Sequence, residues 1–266
     1  MIISTPETPI MKPNLSLIMP AIRREKWLEV YRSITAAWSR SFELVIIGPY
    51  PPSEELMETG HIKYVEDWGS PARCQQRGFL ASTGDYIGFA LDDGLFVPSM
   101  LDRLFLYLQG SRSAVTGKFF EGAEAQHMTE NDYYYFRGHP IWNGLTIPHH
   151  YLAMAGPYFV AREHVETVGG WDCRFETVSI SYCDFAMRLQ NSGILVTLGD
   201  GIVVKFGHMP ADTGDHGPMF RAHNERDVPL FRSLYQNLEG LKRTRVDPDN
   251  WKSSPEIWEE RFHQKA

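Results

Sequence analysis

Short apolar runs alternate with amphipathic segments along the first part of the chain. Four of the runs have the length and composition of buried strands: 15–19, 43–47, 62–65 and 85–91. Between the first two runs, apolar side chains recur at helical spacing: Trp27, Val30, Tyr31, Ile34 and Trp38. A more polar helix is expected at 72–81. Strands that alternate with helices in this way predict βαβ units and a mainly parallel sheet.

Polar or chain-turning residues follow three of these predicted strands. Pro20 ends the first, Gly48 ends the second, and Asp92-Asp93 comes directly after the fourth. In parallel sheets the carboxyl ends of the strands lie on one edge and ligands bind there, so we expect these residues to lie together. The two carboxylates suit a hard divalent cation that bridges phosphate oxygens. A simple turn is the alternative, because Asp-Gly is a common turn signal.

The second half of the chain is less regular. Its pattern predicts helices at 98–109, 181–191 and 229–238 and strands at 157–161, 194–198 and 202–206. Residues 122–151 form a long stretch rich in Tyr, His and Trp, which is typical of a functional loop. The loop 207–217 contains Gly, Asp and His, and it is expected to be either a lid over a ligand or a polar surface loop.

Composition indicates an ordinary globular protein. The 266 residues have 43% apolar and 13% aromatic side chains, which excludes disorder for most of the chain. The net charge of −7 argues against a protein that coats nucleic acid non-specifically. We expect an N-terminal tail at 1–13, a single domain at 14–240 and a charged C-terminal tail at 241–266.

The cysteines and the N-terminus indicate a compartment. Cys74, Cys173 and Cys183 are odd in number and have no CxxC spacing, so buried thiols in a reducing environment are expected. The first residues lack the basic and apolar regions of a signal peptide. No apolar run is long enough for a transmembrane helix. The sequence therefore predicts a cytoplasmic protein.

Two longer motifs and one histidine add a more specific signal. The segment RGFLASTGDYIGFALDDGLFVPSML contributes seven positions: Gly78, Gly84, Asp85, Tyr86, Ile87, Asp93 and Pro98. The segment VGGWDCRFETVSISYCDFAMRLQNSG contributes eight: Gly169, Gly170, Trp171, Asp172, Asp184, Arg188, Leu189 and Gly193. His208 follows the last predicted strand. In this order, over about 14–210, they resemble the family-2 type glycosyltransferases.

That resemblance implies the α/β GT-A fold of nucleotide-diphospho-sugar transferases, with a Rossmann-like, mainly parallel central sheet flanked by helices. It implies a metal-dependent inverting transfer of a sugar from a nucleotide-diphosphate donor to a hydroxyl acceptor. It assigns Asp93 and His208 to a divalent cation, Mn²⁺ or Mg²⁺, and Asp184 to the general base. The residues expected to bind the donor are Pro20, Arg23, Arg73, Arg77, Asp92 and Asp93. The residues expected on the acceptor side are Trp142, Trp171 and Asp172.

Several of these assignments have alternatives. Arg73 and Arg77 could instead be solvated on a polar helix, and Asp184 could be a carboxylate near a helix N-terminus that the helix dipole stabilises. Gly48-Pro49 stands where the family has an acidic residue for the nucleobase, and Leu91 replaces the first Asp of the Asp-x-Asp motif. These departures favour a second hypothesis, a degenerate GT-A domain that binds a ligand or partner without turnover. The acceptor class stays open among a glycan, a lipid-linked glycan and a modified nucleobase in nucleic acid.

Overall fold

The computed structural model describes residues 12–108, 112–121, 158–206, 217–235, 242–247, 249–250 and 258. In these ranges eight strands form one sheet: β1 (Leu15–Pro20), β2 (Phe42–Gly48), β3 (Ile62–Glu66), β4 (Tyr86–Phe89), β5 (Gly94–Phe96), β6 (Ser113–Glu121), β7 (Tyr158–Ala161) and β8 (Leu195–Phe206). Their order is β3-β2-β1-β4-β7-β6-β8-β5. All run parallel except β7 and β5, which are antiparallel to their neighbours.

Helices cover both faces of this sheet. They are α1 (Trp27–Ala37), α2 (Glu54–Met57), α3 (Pro71–Ala81), α4 (Met100–Phe105), α5 (Arg162–Val168), α6 (Val178–Asn191), α7 (Gly217–Ala222) and α8 (Val228–Tyr235). Side chains of β1 alternate between the faces because successive strand residues point to opposite sides. Leu17 and Met19 pack in the cluster of α1 and α4, whereas Ile18 packs in the cluster of α3 and α6. The predicted α/β class with a mainly parallel sheet is confirmed.

Two of the predicted elements whose boundaries differ from the structure are instructive. The helix expected at 98–109 is shorter: Ser99 adopts a left-handed backbone with φ of 62° directly before α4 begins at Met100, and α4 ends at Phe105. The strands expected at 194–198 and 202–206 form one strand, β8. Gly199 does not end it; this glycine instead allows close packing, since a Cβ there would lie 2.3 Å from Cδ1 of Leu104.

Several residues of the predicted charged tail pack against the domain. The backbone N–H of Val246 donates to the carbonyl of Val168 at 3.1 Å, and Asn250 accepts from the N–H of Cys173 at 3.0 Å. Trp258 has no exposed surface. The described residues beyond 241 therefore belong to the folded domain rather than to a tail. None of the helices in the described ranges combines the length with the apolar composition that crossing a bilayer requires.

Candidate functional site

Asp92 joins the carboxyl ends of β4 and β1. Its Oδ2 accepts from the backbone N–H groups of Ile22 at 2.7 Å and Arg23 at 2.8 Å. Its Oδ1 accepts from Nη1 of Arg23 at 2.7 Å. Asp92 is almost fully buried, with 3% of its surface exposed. It therefore fixes both the backbone after β1 and the guanidinium of Arg23, and neither of its oxygens is left without a donor.

The end of β2 lies against the same connection. The N–H of Ala21 donates to the carbonyl of Ile47 at 2.8 Å. A Cβ on Gly48 would lie 2.0 Å from the carbonyl oxygen of Ala21, so only glycine fits there. The predicted meeting of the residues after β1, β2 and β4 at one edge is confirmed. We call this set of strand ends the carboxyl edge.

Asp93 lies beside Arg23 at the carboxyl edge, with 3.6 Å between its Oδ2 and the arginine Nη1. The last residue of β8, Phe206, pairs with Gly94, so β8 ends next to Asp93. Within the described residues, no group of three or more His, Cys, Asp or Glu side chains is arranged to hold a metal ion. Mg²⁺ at nucleotide sites commonly uses one or two carboxylates together with phosphate oxygens. Asp93 with a diphosphate therefore fits a divalent cation, whereas Asp92, with both oxygens engaged, does not serve as a ligand.

Arg73 and Arg77 both pair with a buried carboxylate that the sequence analysis missed. Oδ2 of Asp67 lies 3.1 Å from Nε of Arg73 and 2.6 Å from Nη1 of Arg77. Asp67 directly follows β3, and its N–H donates to the carbonyl of Gly48 at 3.1 Å. Both arginines thus lie at the carboxyl edge, as the donor-binding assignment requires. In this structure, however, both form ion pairs with Asp67. The position of Asp67 directly after a predicted strand could have identified it from the sequence.

An aromatic pair also stands at the carboxyl edge. Tyr50 follows β2 and Trp68 follows β3, with ring centroids 6.2 Å apart and planes at 70°. The indole of Trp68 donates to Oε1 of Glu66 at 3.0 Å, and 45% of Trp68 is exposed. Neither ring was predicted from the sequence to belong to a site.

Asp184 lies deeper in the protein than its predicted role requires. Because α6 leads into β8, which runs parallel to β1, the helix begins at the carboxyl edge, and Asp184 lies about 10 Å further along it. Its side chain has no exposed surface. Oδ2 accepts from Nε of Arg188 at 2.8 Å, and Oδ1 accepts from the Tyr235 hydroxyl at 2.6 Å and from Arg243.

This arrangement corrects the expectation for Asp184. A general base needs an oxygen that reaches the hydroxyl it deprotonates. In the described conformation both oxygens of Asp184 are occupied and enclosed, so the residue holds α6, α8 and Arg243 together instead. Burial, together with the charge of Asp184 and its hydrogen bond, raises the pKa of Tyr235 well above its usual range. Burial opposes the charge on Arg243, but Asp184 and Asp172 outweigh it and raise the pKa of that guanidinium.

Trp171 and Asp172, both expected on the acceptor side, are also enclosed. The ring of Trp171 has no exposed surface and stacks on Phe185 at 4.5 Å between centroids. Gly170 turns the chain inward with φ of +77°, and the N–H of Trp171 donates to Oε1 of Gln76 at 2.8 Å. In this conformation the ring is part of the core and cannot stack on an acceptor.

Asp172 is 1% exposed and accepts from Nη2 of Arg174 at 2.7 Å and from Arg243. Burial alone would raise the pKa of this carboxyl. The hydrogen bond from Arg174 and the charge of Arg243 outweigh burial, and the pKa is lowered. Arg243 thus bridges Asp172 and Asp184, a connection with no signal in the local sequence of either carboxylate.

The carboxylates nearest the start of α6 are Glu176 and Asp227. Asp227 lies in a short π-helical segment, His223–Asp227, and accepts from the N–H groups of Glu176 at 2.9 Å and Thr177 at 2.8 Å. Burial raises its pKa to about 6, although these hydrogen bonds act in the opposite direction. Glu176 accepts from Nη1 of Arg226 at 2.7 Å and from the indole N–H of Trp258 at 2.9 Å. The predicted site residues Trp142 and His208, and the loops that contain them, lie outside the described residues.

Comparison with solved structures identifies the architecture. A mannosyltransferase from Pyrobaculum calidifontis, solved with GDP-mannose and Mn²⁺, is 15% identical and matches with a TM-score of 0.57 over 97% of this chain and 70% of that one. The chain has the GT-A fold. Glucosyl-3-phosphoglycerate synthase from Mycobacterium tuberculosis, solved with Mn²⁺, UDP and phosphoglyceric acid, is 15% identical with a TM-score of 0.53 over 79% of this chain and 75% of that one.

A third GT-A structure is the catalytic domain of Drosophila β1,4-galactosyltransferase 7 with xylobiose. It is 18% identical, with a TM-score of 0.50 over 89% of this chain and 83% of that one. No protein-family model matches the sequence, and no curated protein matches it. At these identities the likeness establishes the GT-A fold and leaves donor, acceptor and activity to be argued from the residues of this chain.

Proposed function

We propose that the chain is a metal-dependent, inverting glycosyltransferase that moves a sugar from a nucleotide-diphosphate donor to a hydroxyl acceptor. One observation carries the proposal: Asp92 fixes the backbone after β1 and presents Arg23 beside Asp93 at the carboxyl edge of a GT-A sheet. A guanidinium held by a buried carboxylate is already oriented, so binding an anion there costs little further ordering. Solved GT-A structures with nucleotides and Mn²⁺ support the donor class.

Donor binding is assigned to the strand ends. Pro20 and Arg23 face the diphosphate, and Arg73 and Arg77 add positive charge beside Asp67. Asp93 holds a divalent cation. His208 is assigned to the same cation because Phe206, the last residue of β8, pairs with Gly94, and His208 follows Phe206 by two positions in the sequence. When bound, the cation neutralises charge on the departing diphosphate.

Tyr50 and Trp68 are assigned to the nucleobase. They stand at the ends of β2 and β3, where Gly48-Pro49 leaves no carboxylate after β2. The exposed face of Trp68 provides a stacking surface that accepts any base.

Trp68→Ala is expected to weaken nucleotide diphosphate binding about 5- to 150-fold, because base–aromatic stacking contributes about 1–3 kcal/mol. Isothermal titration with UDP and GDP in the presence of Mn²⁺ measures the change. Leu106→Ala is the control, since Leu106 is 74% exposed at the end of α4. An unchanged dissociation constant in Trp68→Ala would remove this ring from the donor site.

The proton acceptor is not assigned to Asp184, because its oxygens are occupied. This same observation favours the second candidate function, a GT-A domain that binds a nucleotide or partner without turnover. The acceptor of the transferase is a hydroxyl of a glycan, a lipid-linked glycan or a modified nucleobase.

The deciding experiment is a thermal-shift series with nucleotide diphosphates and their sugars, with and without Mn²⁺. A ligand at 100 times its Kd stabilises the folded state by about 2.7 kcal/mol. For a chain of this size we expect the Tm to rise by roughly 5–10 °C with the correct nucleotide and Mn²⁺. Absence of any shift contradicts the proposal, whereas a shift without donor hydrolysis or transfer supports the binding module.

A further inference from the structure

Trp258 brings together three parts of the chain that are far apart in sequence. Its side chain has no exposed surface and packs in one cluster with Ile22 and Ala222, which Tyr50 and Met219 border. Its indole N–H donates to Oε2 of Glu176 at 2.9 Å. The ring therefore shares one buried cluster with the β1–α1 connection and the end of α7, and it is hydrogen-bonded just before the start of α6.

Within this cluster, Ile22 is the residue next to the proposed donor site. The N–H of Ile22 donates to Asp92, and the next residue, Arg23, has both its N–H and its guanidinium on that carboxylate. Asp92 holds this connection from one side. Trp258 and Ile22 belong to the same buried cluster, so the indole is part of the packing that supports the connection that presents Arg23.

The contact with Glu176 fixes the indole. Oε1 of the same carboxylate accepts from Arg226, which belongs to the π-helical segment. Asp227 in turn accepts from the N–H groups of Glu176 and Thr177 at the start of α6. The ring is thus anchored to a hydrogen-bonded helix start, and a fixed ring transmits its position to Ile22 through packing.

We propose that Trp258 is a positioning residue of the donor site: its ring, anchored on Glu176, packs against Ile22 and holds Arg23 in place for the diphosphate. The inference rests on the proposed function. It adds the C-terminal part of the chain to the donor site, where a displacement of about 1 Å in a binding group is enough to lose affinity.

The test compares Trp258→Ala with Trp258→Phe in the full-length protein, with Kd for UDP and GDP measured in the presence of Mn²⁺. The alanine variant loses the packing on Ile22, and its Kd is expected to rise about tenfold, a loss equivalent to about 1.4 kcal/mol. The phenylalanine variant retains one aromatic ring but loses the indole N–H and part of the ring volume, so its Kd is expected to rise less, by up to about threefold, or about 0.6 kcal/mol. A smaller loss in Trp258→Phe than in Trp258→Ala indicates that packing of the ring contributes to the positioning.

Trp38→Ala is the matched control. Trp38 is 3% exposed and packs on Phe105 and Phe159 at the opposite end of α1, away from the carboxyl edge. It should lower stability without changing Kd. Equal Kd values for wild type and a folded Trp258→Ala, or an equal loss in Trp38→Ala, would overturn the inference.

Two further measurements apply where Trp258→Ala does not fold. Ile22→Ala removes apolar side-chain atoms from the same cluster and should also raise the Kd for UDP and GDP. In the wild-type protein, saturating nucleotide should slow hydrogen exchange around Trp258, because coupling between two sites is reciprocal. Unchanged exchange contradicts the inference. If wild type binds no nucleotide, the proposed function itself fails; if it binds and Trp258 has no effect, only the positioning role fails.

Discussion

Asp92→Asn is expected to destabilise the protein by roughly 3–5 kcal/mol, the usual cost of breaking a buried ion pair, and to destabilise it more than Asp93→Asn does. The reason is the difference in their partners. Asp92 accepts two backbone N–H groups and the guanidinium of Arg23 at 2.7–2.8 Å, whereas Oδ2 of Asp93 lies 3.6 Å from that guanidinium. Urea unfolding with an unchanged m-value measures both effects.

The same pair of variants separates structure from binding. Asp93→Asn should fold normally and lose the part of nucleotide binding that depends on Mn²⁺, because one carboxylate ligand is neutralised. Titration of UDP or GDP with and without Mn²⁺ reports this loss. Equal stabilities for the two variants would contradict the role of Asp92. Unchanged Mn²⁺ dependence in Asp93→Asn would contradict the role of Asp93.

Asp184→Asn is expected to lower stability by roughly 3–5 kcal/mol, because the charges of Arg188 and Arg243 lose their buried partner. At about 2–4 °C per kcal/mol for a chain of this size, the Tm should fall by roughly 6–20 °C. Differential scanning calorimetry measures the transition. Glu163→Gln on the neighbouring α5 is the control, since its side chain is 71% exposed.

A loss of activity without a loss of stability in Asp184→Asn would support the role of general base that the resemblance implies. A general base contributes about 10²- to 10⁴-fold to rate. If Asp184→Asn keeps the wild-type Tm and loses turnover by that factor, the carboxylate reaches the acceptor in a conformation other than the one described here.

Local patterns were sufficient for most of the fold. Trp27, Val30 and Ile34 recur at helical spacing and are buried on one face of α1. The apolar runs at the strands are buried on both sides because helices cover both faces of a parallel sheet. The joining of 194–198 and 202–206 was missed because a Gly-Asp-Gly sequence signals a turn, whereas Gly199 makes room for Leu104.

The sequence predicted where the site residues lie in the fold, but it did not predict which side chains they bind. Strand ends placed Pro20, Gly48 and Asp92-Asp93 on one edge. Which carboxylate turns inward depends on the backbone of the Asp-Gly turn and on donors near residue 22, and no local pattern shows that choice.

Contacts between residues far apart in the sequence could not be predicted from local patterns. Arg243 and Tyr235 bind Asp184 from more than fifty residues away, and Trp258 shares a buried cluster with Ile22 although more than 200 residues separate them. Trp171 follows two glycines of positive φ, and that turn, rather than the aromatic character of the ring, decides that it enters the core.

The buried cluster of Ile22, Ala222 and Trp258 also has a consequence for biosynthesis. Ribosomes add about 5–20 residues per second, so the strand ends near Ile22 leave the tunnel many seconds before Trp258. The first strands and α1 can associate during that interval, but the connection after β1 lacks its packing partner. The connection after β1 therefore acquires this part of its packing only after residue 258 has left the tunnel, well after the strands of the sheet have been made.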